Sequence, residues 1–302
     1  MTIPSPVAVG KTKLIREIDS KKIIALYKNF DASAYFRGAE RIQVLECVDT
    51  GYRFYYPFSV AGDGGYYDRL AQDVRYYMPA KWEYERVLQE VEQGDSILEI
   101  GCGNGDFLAQ AKQKGGRCTG FDLNSAAVAI CQQKGLDVKE SSFDDFVKGE
   151  KRKFDIICSF QVLEHISDIR GYMLASCKLL APDGKLIIAV PNNDSFIKKD
   201  PFNARNMPPH HMGLWNEGAF RKLPAYFDLS LYAIAKESLQ RYHFRYFYNL
   251  HMGNAIARGG LAGRVANKLL YPLIFLPLLT IFPWAITGHT IIAIYQTKTA
   301  KN

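Results

Sequence analysis

The 302-residue sequence predicts a doubly wound α/β fold built on a mostly parallel sheet of seven strands. From Ser96 onwards, apolar runs of strand length alternate with helical periodicity, and the turns QKGG, QKG and APDGK separate them. The strands are predicted in SILEIG, RCTGFDL, LDVKE, FDIICSF and KLIIAVP, and LSLYAIAK and HTIIAIYQT complete the sheet. Helices are predicted near residues 106–114, 125–134 and 169–180.

The rest of the chain adds appendages to this sheet. Residues 1–65 are predicted to form a small β-rich module, with short strands in KIIALY, IQVLECV and YRFYYPF. Residues 66–302 form the main domain, which begins with a helical segment over residues 66–92 that Pro79 interrupts. An apolar helical insertion over residues 244–287 precedes the last strand.

Composition places the chain among globular proteins of a reducing compartment. Apolar residues make up 48% of the sequence, enough for a full core. The six cysteines form no CxxC pair, and the N-terminus MTIPSPVAVGKTKL lacks the pattern of a secretory signal. We therefore expect reduced thiols and a cytoplasmic location.

The net charge of +7 is concentrated in the last 65 residues. Residues 238–302 contain seven Lys and Arg and no Asp or Glu, whereas residues 1–237 sum to zero. This asymmetry indicates either an anionic partner or a solvated basic face. Nucleic acid is not expected, because the tail is apolar rather than arginine-rich and no RNA-binding module is recognisable.

The first predicted strand of the main domain ends in a glycine-rich turn. Gly101, Gly103 and Gly105 follow Glu99, but Asp106 stands where a dinucleotide-binding fingerprint needs its third glycine. A carboxylate at this position disfavours a pyrophosphate and favours a ligand with a cationic end. S-adenosyl-L-methionine carries an ammonium and a sulfonium and no phosphate, so we expect it as the cofactor.

Two later positions extend this cofactor hypothesis. Asp122 ends the second strand, where an acid accepts hydrogen bonds from ribose hydroxyls. In SSFDD, after the third strand, Phe143 is expected beside the adenine and Asp144 near its amino group. The alternative is structural: Glu99 caps the following helix and Asp122 only turns the chain.

Four motifs in order resemble those of the class I S-adenosylmethionine-dependent methyltransferases, from about Tyr76 to the end: ILEIGCGNG, GFDLN, FDIICSFQVLEHISD and LLAPDGKLIIAVPN. The resemblance implies the Rossmann-like methyltransferase fold. It places Gly101 and its neighbours at the methionyl group and Leu123 in the ribose motif. It also places Phe160 and Gln161 beside the reacting methyl.

Three histidines are candidates for handling the acceptor's proton: His165 in VLEHI, and His210 and His211 in NMPPHHMGLW. Both segments follow predicted strands, so they are expected to meet above the cofactor. MPPHH resembles a loop of methyltransferases that act on sugars and natural-product precursors. For His165, the alternative to a catalytic role is a structural one. No metal is expected, because adjacent histidines rarely chelate one ion without other ligands.

The front module carries a degenerate motif. VLECVDTGYRFYYP resembles a zinc ribbon that precedes some sugar methyltransferases, but Thr50 stands at the second cysteine position after Cys47, so no zinc is predicted. Tyr76, Tyr77 and Trp82 are expected to form a lid over the cofactor, with ordinary core packing as the alternative.

Residues 269–288, here called the apolar segment, contain no charge. Three prolines and the returning strand HTIIAIYQT argue against a membrane span. Basic residues precede the segment at Arg258, Arg264 and Lys268, and Trp284 suits a lipid interface. A peripheral membrane contact through residues 258–288, on the inner face, is therefore predicted, with a buried hairpin or a dimer interface as alternatives.

The combined motifs predict a methyltransferase that O-methylates a sugar hydroxyl of a cell-surface polysaccharide or its precursor. One alternative acceptor is a membrane-soluble phenol, such as a quinone precursor. A second alternative is a cofactor-binding scaffold without catalysis. The sequence does not fix the methylated atom or the oligomeric state.

Overall fold

The computed structural model describes residues 3–298 apart from residues 9, 29, 72–77, 79, 259, 261–264 and 266–267. The strands are β1 Thr12–Asp19, β2 Arg41–Cys47, β3 Arg53–Tyr56, β4 Ser96–Ile100, β5 Arg117–Asp122, β6 Asp137–Glu140, β7 Phe154–Phe160, β8 Leu180–Pro191, β9 Gly213–Leu214, β10 Leu229–Ser238 and β11 Thr287–Thr297. The helices are α1 Ser20–Ile24, α2 Gly64–Ala71, α3 Trp82–Leu88, α4 Asp106–Gln113, α5 Ser125–Gln133, α6 Phe143–Gly149, α7 Ile169–Leu179, α8 Glu217–Lys222, α9 Phe244–Arg258 and α10 Leu276–Ile281.

A seven-stranded sheet forms the centre of the chain, with the strand order β10-β11-β8-β7-β4-β5-β6. Five neighbouring strands, β8, β7, β4, β5 and β6, are parallel. At one edge of the sheet, β11 pairs antiparallel with β8, and β10 pairs antiparallel with β11. The predicted doubly wound, mostly parallel sheet is confirmed. Its strand order reverses between β4 and β7, and at such a point the loops that leave neighbouring strands diverge and open a crevice.

The central strands are apolar because helices cover both faces of the sheet. Leu98 and Ile100 of β4 belong to a core shared with α7, while Ile97 faces a second core shared with α3 and α4. Side chains alternate along a strand, so Glu99 falls on the same face as Ile97. This alternation decides the environment of Glu99, described below.

The N-terminal strands β1, β2 and β3 form an antiparallel sheet together with β9, in the order β1-β2-β3-β9. IQVLECV and YRFYYPF contain β2 and β3 as predicted, but the predicted strand KIIALY is wrong, because its first residues form the end of α1. The Asp19 carboxylate caps α1 by accepting a hydrogen bond from the Lys21 amide, and Ile23 is buried beneath it. The sequence did not indicate β9, which connects this sheet to the segment that follows the histidine pair.

The predicted helical segment over residues 66–92 contains two described helices, α2 and α3. Tyr76, Tyr77 and Pro79 lie outside the described residues. Trp82, the remaining lid candidate, packs half-buried against the core on the α3 side of the sheet.

The described part of the apolar insertion includes α9, a π-helical turn at Tyr271–Phe275 and α10. Pro272 and Pro277 lack the amide hydrogens that a regular helix would use here. The alternative of a buried hairpin does not fit the described residues, because most of the segment's large apolar side chains are exposed: Leu269, Leu273, Ile274, Leu278, Ile281, Phe282 and Trp284. Within the described part of the chain, no helix has the length and apolar character needed to span a bilayer.

Candidate active site

A cavity of about 720 Å³ opens at the carboxyl ends of the parallel strands, where the strand order reverses. The loops after β4, β5, β7 and β8 contribute to its wall. Most of the residues predicted for the site line it: Gly101, Gly103, Asp122, Leu123, Phe143, Phe160, Gln161, His165, His210 and His211. Glu99, Gly105 and Asp144 do not line it.

The turn from Gly101 to Gly105, here called the cofactor loop, needs glycine at its first position. Gly101 has φ +67°, in the left-handed region, and a Cβ there would lie 2.7 Å from Cγ2 of Val162. The bare backbone thus packs against Val162, which itself lines the cavity. The loop can approach a ligand closely because no side chain intervenes.

Asp122 holds the cofactor loop in place. Its Oδ2 accepts a hydrogen bond of 2.8 Å from the Gly103 amide, and its Oδ1 accepts one of 2.9 Å from the Asn124 amide. Burial raises the pKa of Asp122, and the backbone hydrogen bonds oppose this shift. Each carboxylate oxygen keeps a second lone pair that a ligand hydroxyl can use.

Glu99 lies beneath the cofactor loop and not in the cavity wall. The side chain is buried on the α3 side of the sheet, and its Oε2 has no hydrogen-bond partner in the described part of the chain. Burial raises the pKa of this carboxyl well above its usual range, while Lys81 lowers it. A direct contact with the cationic end of a ligand therefore stays a prediction.

Gly105 and Asp144 lie outside the wall of the cavity, at the starts of α4 and α6. Gly105, with φ +72°, is the N-cap of α4, where a Cβ would lie 2.5 Å from Cδ1 of Leu136. Asp144 is in the first turn of α6 and lines a smaller depression next to the cavity.

The predicted adenine side of the cavity is formed by apolar groups. The Phe143 ring stacks on Tyr172, with centroids 4.9 Å apart, and this contact fixes its orientation. Leu123, at the end of β5, is 58% exposed and lines the cavity. These two side chains offer the apolar surface that a flat heterocycle needs.

Phe160 and Gln161 lie where β7 ends. Phe160 packs against Tyr84 and Phe107, with ring centroids 4.8 Å away in each case. Gln161 has φ +58°, unusual for a residue with a side chain, and its amide donates to the Ala189 carbonyl. Such strained backbone is concentrated at functional sites.

The three predicted histidines come together on the other side of the cavity and are here called the histidine cluster. The ring centroid of His165 lies 4.9 Å from that of His210 and 4.8 Å from that of His211. The rings of His210 and His211 stack, 4.4 Å apart with an interplanar angle of 18°. The expectation that the two segments meet is confirmed.

Burial keeps the histidine cluster neutral. It lowers the pKa of His165 to about 4 and the pKa values of His210 and His211 well below the usual range. The Nδ1 atom of His210 has no hydrogen-bond partner among the residues that the structure describes. The His210 ring lines the cavity, and a neutral imidazole there can accept a proton from a bound acceptor.

Sequence reasoning missed several residues of the site. Glu164 is buried beside the cluster, and burial raises its pKa to about 8. Its backbone carbonyl accepts hydrogen bonds of 2.8 Å from the amides of Met212 and Gly213, and these bonds hold the histidine loop against β7. Further polar groups line the cavity beyond the cluster: Asn203, Arg205, His243, Tyr246 and His289.

Comparisons with known proteins agree on the type of domain. The family described as "Methyltransferase domain" matches residues 70–251. Ubiquinone biosynthesis O-methyltransferases are similar to part of the chain. The one from Hydrogenovibrio crunogenus is 26% identical over 122 residues, covering 38% of this chain and 50% of the relative. The one from Actinobacillus pleuropneumoniae serotype 5b is 31% identical over 110 residues, covering 33% and 47%.

The chain thus spans about half the length of the curated relatives it matches. Among solved structures, a SAM-dependent methyltransferase from Archaeoglobus fulgidus aligns with a TM-score of 0.48 at 18% identity. That alignment covers 71% of this chain and 91% of the other.

Proposed function

The chain belongs to the methyltransferase-domain family, whose cofactor is S-adenosylmethionine, and from this premise we propose that it O-methylates a membrane-soluble phenol. The observation that carries the proposal is the single cavity that contains both the cofactor loop and the histidine cluster. A cofactor and an acceptor bound at these two places would share one continuous cavity, as direct transfer requires.

The cofactor would occupy the side of the cavity that the cofactor loop forms. Asp122 would accept hydrogen bonds from the ribose hydroxyls through the lone pairs that Gly103 and Asn124 leave unused. Leu123 and Phe143 would enclose the adenine. Phe160, Gln161 and the histidine cluster would then line the part of the cavity that remains for the methyl group and the acceptor.

The reaction would be an in-line displacement at the methyl carbon. The acceptor oxygen forms a bond to that carbon, the bond from carbon to sulfur breaks, and sulfur leaves as the neutral thioether of S-adenosylhomocysteine. The hydroxyl proton would pass to His210, whose ring lines the cavity. The cofactor supplies the reactivity, and the protein supplies alignment and the base.

The curated relatives and the surface of the apolar segment favour a phenol dissolved in the membrane. The relatives similar to this chain are named ubiquinone biosynthesis O-methyltransferases. The apolar segment packs on α9 through Tyr271 and Phe275, which contact Tyr248, and His243 and Tyr246 at the start of this insertion line the cavity. The exposed apolar surface therefore lies one helix away from the site.

The charge of this region fits the same proposal. Lys268 is exposed just before the apolar segment, and Trp284 is 72% exposed near its end. The side chain of Arg258 and the whole of Arg264 lie outside the described residues. A basic and apolar surface suits a peripheral contact with an anionic membrane, where each basic residue contributes about 1 kcal/mol.

A sugar hydroxyl is the second candidate acceptor, because polar side chains line the far side of the cavity. Asn203 donates a 2.7 Å hydrogen bond to the Tyr246 hydroxyl, and Tyr246 donates one of 2.9 Å to Asp200. Such an ordered set of donors and acceptors can also orient a polyhydroxylated ring.

Incubation with methyl-labelled S-adenosylmethionine tests the choice of acceptor. One arm contains anionic vesicles with a long-chain catechol, and the other contains water-soluble glycan precursors. We expect label in the catechol as a methyl ether. Replacement of His210 by Ala should lower the rate by about 100-fold or more. Label that enters only the glycans would overturn the phenol proposal in favour of the sugar.

A further inference from the structure

The loop over residues 203–212, here called the histidine loop, carries His210 and His211 but packs with the N-terminal part of the chain. The side chains of Met207 and Met212 are buried in one hydrophobic cluster with apolar side chains of β1, α1 and β2. The loop that holds the candidate base is therefore anchored in a core that lies outside the central sheet.

The Tyr27 hydroxyl, which follows α1, is the point on which the backbone of this loop converges. Three carbonyl oxygens of the histidine loop lie near the hydroxyl oxygen: those of Ala204, Pro208 and Met207, at 2.8, 3.1 and 3.2 Å. All three groups can only accept a hydrogen bond, and the hydroxyl has the one hydrogen that serves them. Without it, three buried acceptors would face a point that holds no donor, which is costly.

The Met207 carbonyl connects Tyr27 to both histidines of the loop. Its oxygen also accepts hydrogen bonds from the amide of His210, at 3.0 Å, and from the amide of His211, at 3.1 Å. Three donors around one carbonyl oxygen restrict the orientation of its peptide group and of the peptide groups that donate to it. The Tyr27 hydroxyl is thus separated from the backbone of His210 by a single carbonyl group.

The hydroxyl of Tyr27 keeps its hydrogen. Burial and the neighbouring Tyr66 raise the pKa of Tyr27 well above its usual range, while the His210 amide lowers it. The side chain therefore stays a donor at every pH at which the enzyme would be assayed. Its ring packs edge-on against Phe30, with centroids 5.2 Å apart, and this contact does not involve the hydroxyl.

Other N-terminal residues bind the remaining carbonyl groups of the histidine loop. The Tyr55 hydroxyl donates to the Asn206 carbonyl at 3.2 Å, and the Gly62 amide donates to the Pro209 carbonyl at 2.8 Å. These bonds act on neighbouring peptide groups of the same loop. The N-terminal part of the chain therefore determines where the loop lies relative to the cavity, and Tyr27 makes the largest number of these contacts.

We propose that Tyr27 is a positioning residue for methyl transfer: its hydroxyl fixes the Met207 carbonyl and, through it, orients His210 towards the acceptor. Tyr27 does not line the cavity, so it acts without touching the cofactor or the acceptor. The inference rests on the proposed function, in which His210 takes the acceptor's proton. It gives the N-terminal part of the chain a role in shaping the acceptor side of the site.

Tyr27→Phe tests this role, because it removes the hydroxyl and keeps the ring that packs on Phe30. We expect kcat for methylation of the vesicle-borne catechol to fall about 10- to 100-fold, since small displacements of a catalytic group have effects of this size. The KM of the catechol and the Kd of S-adenosylhomocysteine should change by less than about twofold. Tyr56→Phe on β3 is the matched control and should keep the wild-type kcat, because no hydrogen bond joins the Tyr56 hydroxyl to the histidine loop in the described chain.

A double variant distinguishes positioning of the base from a general structural effect. In the His210→Ala background, Tyr27→Phe should not lower kcat further, because no imidazole is left to orient. A further loss of about 10-fold in that background would overturn the proposal. An unchanged kcat in the single variant Tyr27→Phe would overturn it as well.

A readout without any acceptor separates this proposal from the proposed function. NMR spectra of protein labelled with ¹⁵N in its histidines report each imidazole, and His210→Ala identifies the signals of His210. Tyr27→Phe should shift these signals, and Tyr56→Phe should not. If the wild type methylates no catechol but the shift is observed, the phenol proposal fails and the positioning of His210 by Tyr27 stands. Unchanged His210 signals in Tyr27→Phe would overturn the positioning role whatever the acceptor is.

Discussion

Replacement of Gly101 by Ala tests whether the bare backbone of the cofactor loop is needed for ligand binding. Gly101 has φ +67°, and left-handed backbone costs a residue with a side chain about 1–2 kcal/mol. The new methyl group would also lie 2.7 Å from Cγ2 of Val162, and such overpacking costs about 1–3 kcal/mol more. The sum is a loss of about 2–5 kcal/mol in the free energy of unfolding.

Gly135 provides a matched control, because it has φ +68° and nothing within 4 Å of its Cβ position. Gly135→Ala should therefore lose only the backbone contribution of about 1–2 kcal/mol. The difference between the two variants isolates the contact with Val162. Because Val162 lines the cavity, Gly101→Ala should also weaken S-adenosylhomocysteine binding about 10-fold or more, or 1.4 kcal/mol, and Gly135→Ala should not.

Denaturant unfolding and calorimetric titration measure these two quantities. In the double variant Gly101→Ala/Val162→Ala, the γ carbons of Val162 that the new methyl group would contact are absent. The double variant should therefore lose about 1–3 kcal/mol less in the free energy of unfolding than the sum of the two single variants. If Gly101→Ala and Gly135→Ala had the same stability and the same affinity for the cofactor product, the argument for close approach at Gly101 would be refuted.

Three further predictions address the cofactor, the base and the surface. Asp122→Asn should weaken S-adenosylhomocysteine binding about 10- to 100-fold in calorimetry, since hydrogen bonds to a charged group contribute about 1.5–3 kcal/mol. The Asp144→Asn variant should bind as the wild type does, and equal losses in both variants would contradict the assignment of Asp122 as the acceptor of the ribose hydrogen bonds. His210→Ala should lower kcat about 100-fold and leave the Kd of S-adenosylhomocysteine unchanged, and an unaltered kcat would remove His210 as the base. The protein should float with anionic vesicles at low salt. Leu273→Asp should reduce the floating fraction, whereas Leu174→Asp, at an exposed leucine on α7 outside the apolar segment, should not. Flotation that neither substitution changes would exclude the apolar segment as the contact.

The central sheet was predictable because its strands are buried on both faces and are bounded by turn residues. Strands β4, β7 and β8 therefore read as apolar runs, whereas the edge strand β6 buries only Val138 among its four residues. The polar residues that follow the parallel strands belong to one edge. Asp122 and the histidines were found by this reasoning. Glu99 is buried on the α3 side of the sheet, and its contact with a ligand stays a prediction.

Other features depend on contacts that no local pattern records. KIIALY is rich in strand-forming residues, yet the Asp19 cap and the burial of Ile23 favour a helix. Strand β9 has two residues, too few for a recognisable period, and it exists because Phe54 pairs with Gly213. The position of Glu164 beside the histidine cluster likewise depends on long-range backbone bonds to Met212 and Gly213.

Calorimetric titration of the wild-type protein with S-adenosylhomocysteine and, separately, with NAD tests the central claim most directly. A cavity built for a phosphate-free adenosyl ligand should bind one equivalent of S-adenosylhomocysteine and give no heat with NAD. Tight binding of NAD, together with no heat from S-adenosylhomocysteine or S-adenosylmethionine, would contradict the account.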